Sequence, residues 1–197
     1  GVVIPPSIAP IQVIILPIYN KENKEKILKK TQEIKKKLSR FRTEIDLTEN
    51  SIGKKFYNSE LKGIPIRIEI GEKELKNKKL TLFTRHDKKK NLVLEKKVVE
   101  EVAKAIDKIQ TELLKKSEEQ IKKSIIKESE QKKLKEITDQ GKIAEIYWCE
   151  DGKCYDEITK IKEGLDLFGS ILKKCVPGNC IICTKKTRNK AYVANSY

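Results

Sequence analysis

Four cysteines near the end of the chain most constrain what it can fold into. Cys149 and Cys154 form a C-x4-C pair, Cys180 and Cys183 form a C-x2-C pair, and 25 residues separate the two pairs. Four thiolates at tetrahedral distance suit zinc, and two hairpin-like turns can bring such pairs face to face. We therefore expect one structural zinc ion with no open coordination position. The alternatives are four unrelated buried thiols, or a redox C-x2-C pair, which the first pair at ligand spacing disfavours.

The fifth cysteine, Cys175, has no partner at ligand spacing. We expect a buried thiol there, with replacement of Cys180 as a ligand as the alternative. An odd number of cysteines in an intracellular-looking chain of this length also argues against a secreted disulfide scaffold.

Composition favours a folded chain with a polyanionic partner. The 197 residues are 38% hydrophobic, which suffices for one medium domain or two small ones. The net charge of +15 fits binding to nucleic acid, although a lysine- and glutamate-rich surface can also reflect coding bias or a thermophile-like surface. The longest apolar run, Ile11 to Ile18, is interrupted by Gln12 and Pro17 and is too short for a membrane span.

The first part of the chain predicts an α/β unit. Residues 1–10 contain three prolines and are expected to form an extended entry segment. The β-branched run Ile11 to Ile18 suits a strand covered on both faces, Asn23 to Ser39 has the apolar spacing of a helix, and Thr43 to Thr48 alternates as a second strand. This order implies a right-handed parallel crossover.

The next segments extend this unit. Ile64 to Ile70 predicts a strand with one buried face and with Arg67 and Glu69 pointing outward. The remaining predicted elements are a helical turn at Glu72 to Asn77, strands at Lys79 to Arg85 and Asn91 to Glu95, and a helix at Lys96 to Leu114. Residues 118–140, rich in Lys, Glu and Gln, are expected to form a solvated connecting helix.

The sequence contains no catalytic constellation. His86 is the single histidine and is predicted to lie in a loop, and no phosphate-binding glycine loop or activated nucleophile is present. We therefore predict no catalytic residues in this chain.

Three separated stretches resemble the C-terminal part of prolyl-tRNA synthetase, a class II enzyme, of the archaeal and eukaryotic type. The resemblance covers essentially the whole chain. The matching stretches are GVVIPPSIAPIQVIILPI at residues 1–18, Gly53, Lys55 and Phe56 with ELKGIPIRIEIG at residues 60–71, and AYVANSY at residues 191–197 beside the cysteine spacing.

The resemblance implies an α/β fold with a mixed five-stranded sheet flanked by helices, the anticodon-binding fold of class II synthetases, followed by a small α+β zinc-binding domain. The implied boundaries are a linker from the missing catalytic domain at 1–10, an anticodon-binding domain at 11–117, the connecting helix at 118–140 and the zinc domain at 141–197. Tyr197, the last residue, is expected to pack towards the catalytic domain.

The resemblance also implies the partners and the site residues. The fragment would read the anticodon of proline tRNA in the cytoplasm, and the absent catalytic domain of a homodimeric ligase would use ATP and magnesium. Glu60 and Arg67 are expected to read bases, Phe56 to stack or pack, and Lys73, Glu74 and Lys89 to make flanking contacts. Two alternatives remain open: a zinc-stabilised scaffold module, and the anticodon domain of the histidine, threonine or glycine synthetase, which is not expected to end in four cysteines.

Overall fold

The computed structural model describes residues 2–173 and 175–196. These residues divide into two compact units, 1–116 and 117–197. In the described part of the chain, no helix has both the length and the apolar character that crossing a membrane requires.

The first unit is built on the mixed five-stranded sheet that the resemblance implies. Strands β1 and β2 run parallel, as the strand-helix-strand pattern predicts, and β3 pairs parallel with the other side of β1. Strands β4 and β5 then continue antiparallel, giving the order β2-β1-β3-β4-β5. The strands are β1 Val13–Pro17, β2 Thr43–Ile45, β3 Ile66–Ile70, β4 Lys79–Thr84 and β5 Lys89–Leu94.

Helices cover the sheet unequally. Helices α1 (Lys24–Lys37) and α4 (Val98–Ser124) bury their apolar residues with Ile66, Ile68 and Ile70 of β3 in the main core. Helix α2 (Ile52–Leu61) covers only part of the opposite face, where Phe56 packs with Ile14 and Leu16 of β1. Strand β1 is therefore buried on both faces, as predicted.

Helix α2 is an element that sequence patterning missed. Its sequence contains Gly53, Asn58 and Ser59, which are weak helix formers, and few apolar residues at helical spacing. Ser51 caps its first turn by accepting a hydrogen bond from the backbone N–H of Lys54. The short helix α3 (Glu72–Asn77) confirms the predicted helical turn.

Two predictions about exposed segments are wrong. Arg67 and Glu69 of β3 do not point into solvent, because α2 and the side chains of β4 and β5 cover them, and both residues are buried. The entry segment is not extended throughout, because residues 6–8 form a turn. The guanidinium of Arg42 holds this turn by donating to the carbonyl oxygens of Pro6 and Ala9 at 2.8 Å each.

The second unit has an α+β fold around a four-stranded sheet. The strand order is β6-β7-β11-β8, with β6 parallel to β7 and β11 antiparallel to both of its neighbours. Its elements are β6 Ile125–Lys127, α5 Leu134–Asp139, β7 Ile143–Tyr147, α6 Gly152–Lys160, β8 Leu165–Ser170, a small hairpin of β9 Gly178–Asn179 and β10 Lys186–Thr187, and β11 Lys190–Asn195.

The expected connecting helix over residues 118–140 is corrected. Helix α4 ends at Ser124, and Ile125 and Ile126 then pair with β7 as a strand. Leu134 and Ile137 of α5 are buried in the core of the second unit. A solvated helix would leave these apolar residues exposed. Here they are part of the core of the second unit, which therefore begins before residue 141.

Candidate functional site

Arg67 lies at the centre of a cluster on the sheet face that α2 partly covers. Its guanidinium carbon lies 4.1 Å from the ring centroid of Phe56 on α2 and 4.1 Å from that of Phe83 on β4. Only 3% of Arg67 is exposed. A cation enclosed by two ring faces is attracted by both ring quadrupoles, and desolvation strengthens this attraction.

Carboxylates balance the buried charge of Arg67. Its Nε donates to Oε1 of Glu69 at 3.1 Å, and its Nη1 lies 3.4 Å from both Ser59 Oγ and Glu60 Oε1. The second carboxylate oxygen of Glu69 accepts from Lys90 Nζ at 3.0 Å. Because a buried charge is tolerated only when it is paired and hydrogen-bonded, these residues form one interdependent network.

Glu60 is the member of this network that reaches solvent. It lies in the last turn of α2, and its side chain is 36% exposed, whereas that of Arg67 is 4% exposed. Arg85 Nη1 lies 4.0 Å from the second oxygen of Glu60. Two guanidinium groups therefore hold a solvent-accessible carboxylate in place.

The structure brings three of the six predicted anticodon residues together and separates the others. Arg67 contacts both Phe56 and Glu60. Glu74 instead accepts hydrogen bonds from the backbone N–H of Gly71 and from Thr81 Oγ1, which ties α3 to β4. Lys73 is exposed on α3, and Lys89 is exposed with its Nζ 3.9 Å from Asp87.

Sequence reasoning missed Phe83, Glu69 and Lys90 as members of the cluster. Phe83 lies opposite Arg67 in the β3–β4 register, and Lys90 lies opposite Phe83 in the β4–β5 register. Lys90 Nζ also lies 5.2 Å from the Phe56 centroid. The alternation of side chains along β5 was the available signal, because it assigns Lys90 rather than Lys89 to this sheet face.

The four predicted cysteine ligands come together in the second unit. The sulfurs of Cys149, Cys154, Cys180 and Cys183 all lie within 4.8 Å of one another. Cys149 Sγ is 3.5 Å from Cys154 Sγ and 3.6 Å from Cys183 Sγ. Such a group can bind a metal ion.

Local turns position these cysteines. Cys149 follows β7, and Asp151 caps α6 so that Cys154 lies in its first turn. Cys180 and Cys183 lie in the turn between β9 and β10, where the backbone N–H of Cys180 donates to Lys185. The left-handed residues in the two turns are Glu150 and Thr184, at φ 63° and 60°.

The thiols of the cluster differ in acidity. Burial raises the pKa of Cys154, and the neighbouring Cys149 thiol adds to this. Burial also acts to raise the pKa of Cys180, but the backbone N–H groups of Cys183 and Ile182 donate to its sulfur and lower that pKa to about 7. Cys180 therefore supplies a thiolate, the form that binds metal, more readily than an ordinary cysteine.

Cys175 lies outside the four-cysteine cluster and is half-buried rather than buried as expected. Its backbone N–H donates to Arg188, and its thiol donates to the carbonyl of Lys173. His86 lies in the turn between β4 and β5, which confirms its prediction as a loop residue. Tyr197, for which contact with a catalytic domain is expected, lies outside the described residues.

Comparison with known proteins matches both units. Residues 12–109 match the family model described as anticodon binding domain. The whole chain is similar to the proline–tRNA ligases of Methanobrevibacter smithii, at 32% identity, and Methanococcoides burtonii, at 35% identity. The Methanocaldococcus jannaschii ligase is 42% identical over 55% of the chain and 24% of its own length. The chain spans 43% and 41% of the first two relatives.

Proposed function

We propose a function from one premise: the chain belongs to the proline–tRNA ligase family and carries its anticodon-binding domain. In this proposal, residues 11–117 read the anticodon of proline tRNA. A catalytic domain of the same enzyme, encoded outside these residues, would perform ATP-dependent prolylation in the cytoplasm, and the full enzyme would be a homodimer. The chain would be inactive by itself, since it contributes recognition and no catalytic group.

The observation that carries the proposal is the half-buried, solvent-accessible carboxylate of Glu60 beside the buried guanidinium of Arg67. Proline anticodons share two guanines, and the Watson–Crick edge of guanine presents N–H donors that a carboxylate accepts. Arg67 at 3.4 Å and Arg85 at 4.0 Å restrain that carboxylate, so its side chain loses little conformational entropy when a base binds. Glu60 is therefore the proposed base reader.

In this proposal Arg67 does not contact a base directly, unlike the base-reading role that the resemblance implies. Its guanidinium is buried between two rings, so we assign it the positioning of Glu60 and Phe56. Phe56 packs in this stack, and the ammonium group of the exposed Lys90 lies 5.2 Å from the centroid of its half-buried ring.

Three further residues are proposed as flanking contacts. Lys73 and Lys89 are exposed and suit phosphate contacts, which add affinity without sequence information. Glu74 would act by holding α3 on β4, because Gly71 and Thr81 donate to its carboxylate.

The test compares binding of proline tRNA with binding of a transcript in which both anticodon guanines are replaced. The Glu60→Gln variant should lose about 10- to 100-fold in discrimination, equivalent to about 1–3 kcal/mol. Glu33→Gln is the matched control, because Glu33 is a similarly exposed carboxylate, 2.7 Å from Lys30, on the helix that covers the other sheet face. An intact chain that binds both transcripts equally at moderate salt would overturn anticodon reading.

We further propose that the metal held by the four cysteines is zinc. Sulfurs 2.3 Å from a tetrahedral zinc ion lie about 3.8 Å apart, and the Cys149 sulfur lies 3.5 and 3.6 Å from two of its neighbours. Four thiolates fill the coordination shell, so the ion would stabilise the second unit and carry out no reaction. Metal analysis should find about one zinc per chain.

A further inference from the structure

A second group of potential metal ligands lies in the first unit. It consists of His86 and Asp87 in the turn after β4, and Glu112 on α4. The His86 side chain is only 6% exposed, and its Nε2 lies 2.6 Å from Oε2 of Glu112. This distance assigns the ring proton to Nε2, where it is donated to the carboxylate.

The other ring nitrogen, Nδ1, lacks a hydrogen-bond partner among the described residues. His86 Nδ1 is buried and lies 3.7 Å from Oδ1 of Asp87. In the neutral imidazole with Nε2 protonated, Nδ1 carries a lone pair directed away from Glu112. A buried polar atom without a hydrogen bond costs free energy, so an unpaired acceptor at this position is available to bind a ligand.

The geometry suits a metal ion between Nδ1 and Asp87. Ligand bonds of about 2.0–2.2 Å to each atom would span 3.7 Å at an angle of about 125°, which is close to common coordination angles. Histidines that bind metals usually donate their other N–H to a carboxylate, and Glu112 is in position to accept it.

The Asp87 carboxylate is already oriented by its neighbours. Its Oδ1 accepts from Thr84 Oγ1 at 2.6 Å and from the backbone N–H of Lys89 at 3.2 Å. A cavity of about 350 Å³, lined in part by His86, Asp87 and Asn91, adjoins the turn and has room for water ligands.

We propose that His86 Nδ1 and Asp87 bind a divalent transition-metal ion such as Zn²⁺, with Glu112 orienting the imidazole and water completing the coordination. An imidazole ligand favours such ions over magnesium or calcium. Lys89, 3.9 Å from Asp87, and Lys108, 3.7 Å from Glu112, oppose a cation, so binding is expected to be weaker than at the four cysteines. The ion would fix the turn that leads into Lys89 and Lys90.

Because His86 is the single histidine, its imidazole signals report on this site alone. The intact chain is titrated with Zn²⁺ beyond one equivalent while both imidazole nitrogens are followed by proton–nitrogen correlation spectroscopy. The expected result is a saturable shift at Nδ1 with Nε2 still protonated. An unchanged imidazole in excess Zn²⁺ would overturn the site, and coordination at Nε2 would overturn the assigned ligand.

Two variants test the parts of the site. Glu112→Gln should weaken the Zn²⁺ response at His86 by about 10- to 100-fold, as loss of an orienting carboxylate does. Asp87→Asn should weaken it at least as much, and backbone amide spectra check that the turn persists. Glu101→Gln is the control, because Glu101 lines the same cavity without belonging to the ligand group. Equal Zn²⁺ responses in all three variants would contradict the proposal.

Discussion

Replacement of Arg67 by Ala should strongly destabilise the first unit. The change removes a guanidinium that lies 4.1 Å from two ring centroids and leaves Glu69, whose side chain is 9% exposed, with Lys90 as its remaining cation. Breaking a buried ion pair from one side costs about 3–5 kcal/mol. This loss is a large fraction of the roughly 5–15 kcal/mol that stabilises a typical domain.

Urea unfolding followed by circular dichroism measures this loss. Arg40→Ala is the matched control, because Arg40 is exposed and stacks on Phe41 at 4.7 Å, so its removal should cost about 1 kcal/mol or less. The double variant Arg67→Met, Glu69→Leu should recover much of the stability, since it removes both buried charges. A loss for Arg67→Ala no larger than for Arg40→Ala would refute the network.

Two other measurements test separate parts of the chain. Chelation of the proposed zinc should increase hydrogen exchange in residues after about 140 and leave proline tRNA binding largely intact. Loss of both the exchange protection and the tRNA binding would contradict the division into two domains. Hydrogen bonds from Lys37 and Lys30 lower the pKa of Glu95, so its carboxylate should stabilise the fold above its unfolded pKa and lose this effect as the pH falls through the lower folded pKa. Urea unfolding should therefore find Glu95→Gln less stable than wild type near neutral pH and equally stable in acid, and a constant difference would exclude this linkage.

The strands and the long helices of the first unit were predictable because their apolar residues repeat with clear periods. Ile66, Ile68 and Ile70 alternate along β3, and the helical spacing over Asn23 to Ser39 matches α1. Helix α2 was not predicted, because its one strong signal is the Ser51 cap and its apolar residues are few. Its stability depends on Phe56 packing against β1, a contact that local pattern does not contain.

The four-cysteine cluster was predictable because ligand spacing is a local property of the sequence. The burial of Arg67 was not, because it depends on pairing between strands. Sequence alternation alone assigns Arg67 to the polar face of β3. Phe83 reaches Arg67, and Lys90 reaches its partner Glu69, only through the β3–β4 and β4–β5 registers. A residue expected at the surface is thus enclosed by side chains of α2 and β4.

The buried position of Arg67 can explain how the carboxylate of Glu60 would function in an RNA-binding surface. RNA phosphates would repel the carboxylate of Glu60 in the proposed reader. The guanidinium groups of Arg67 and Arg85 lie beside it at 3.4 and 4.0 Å, where the lower effective dielectric strengthens their attraction. They offset the repulsion while leaving the carboxylate accessible to a base. In the proposed function, specificity would therefore depend on cations that RNA itself need not touch, and Arg67 would contribute to recognition although it is buried.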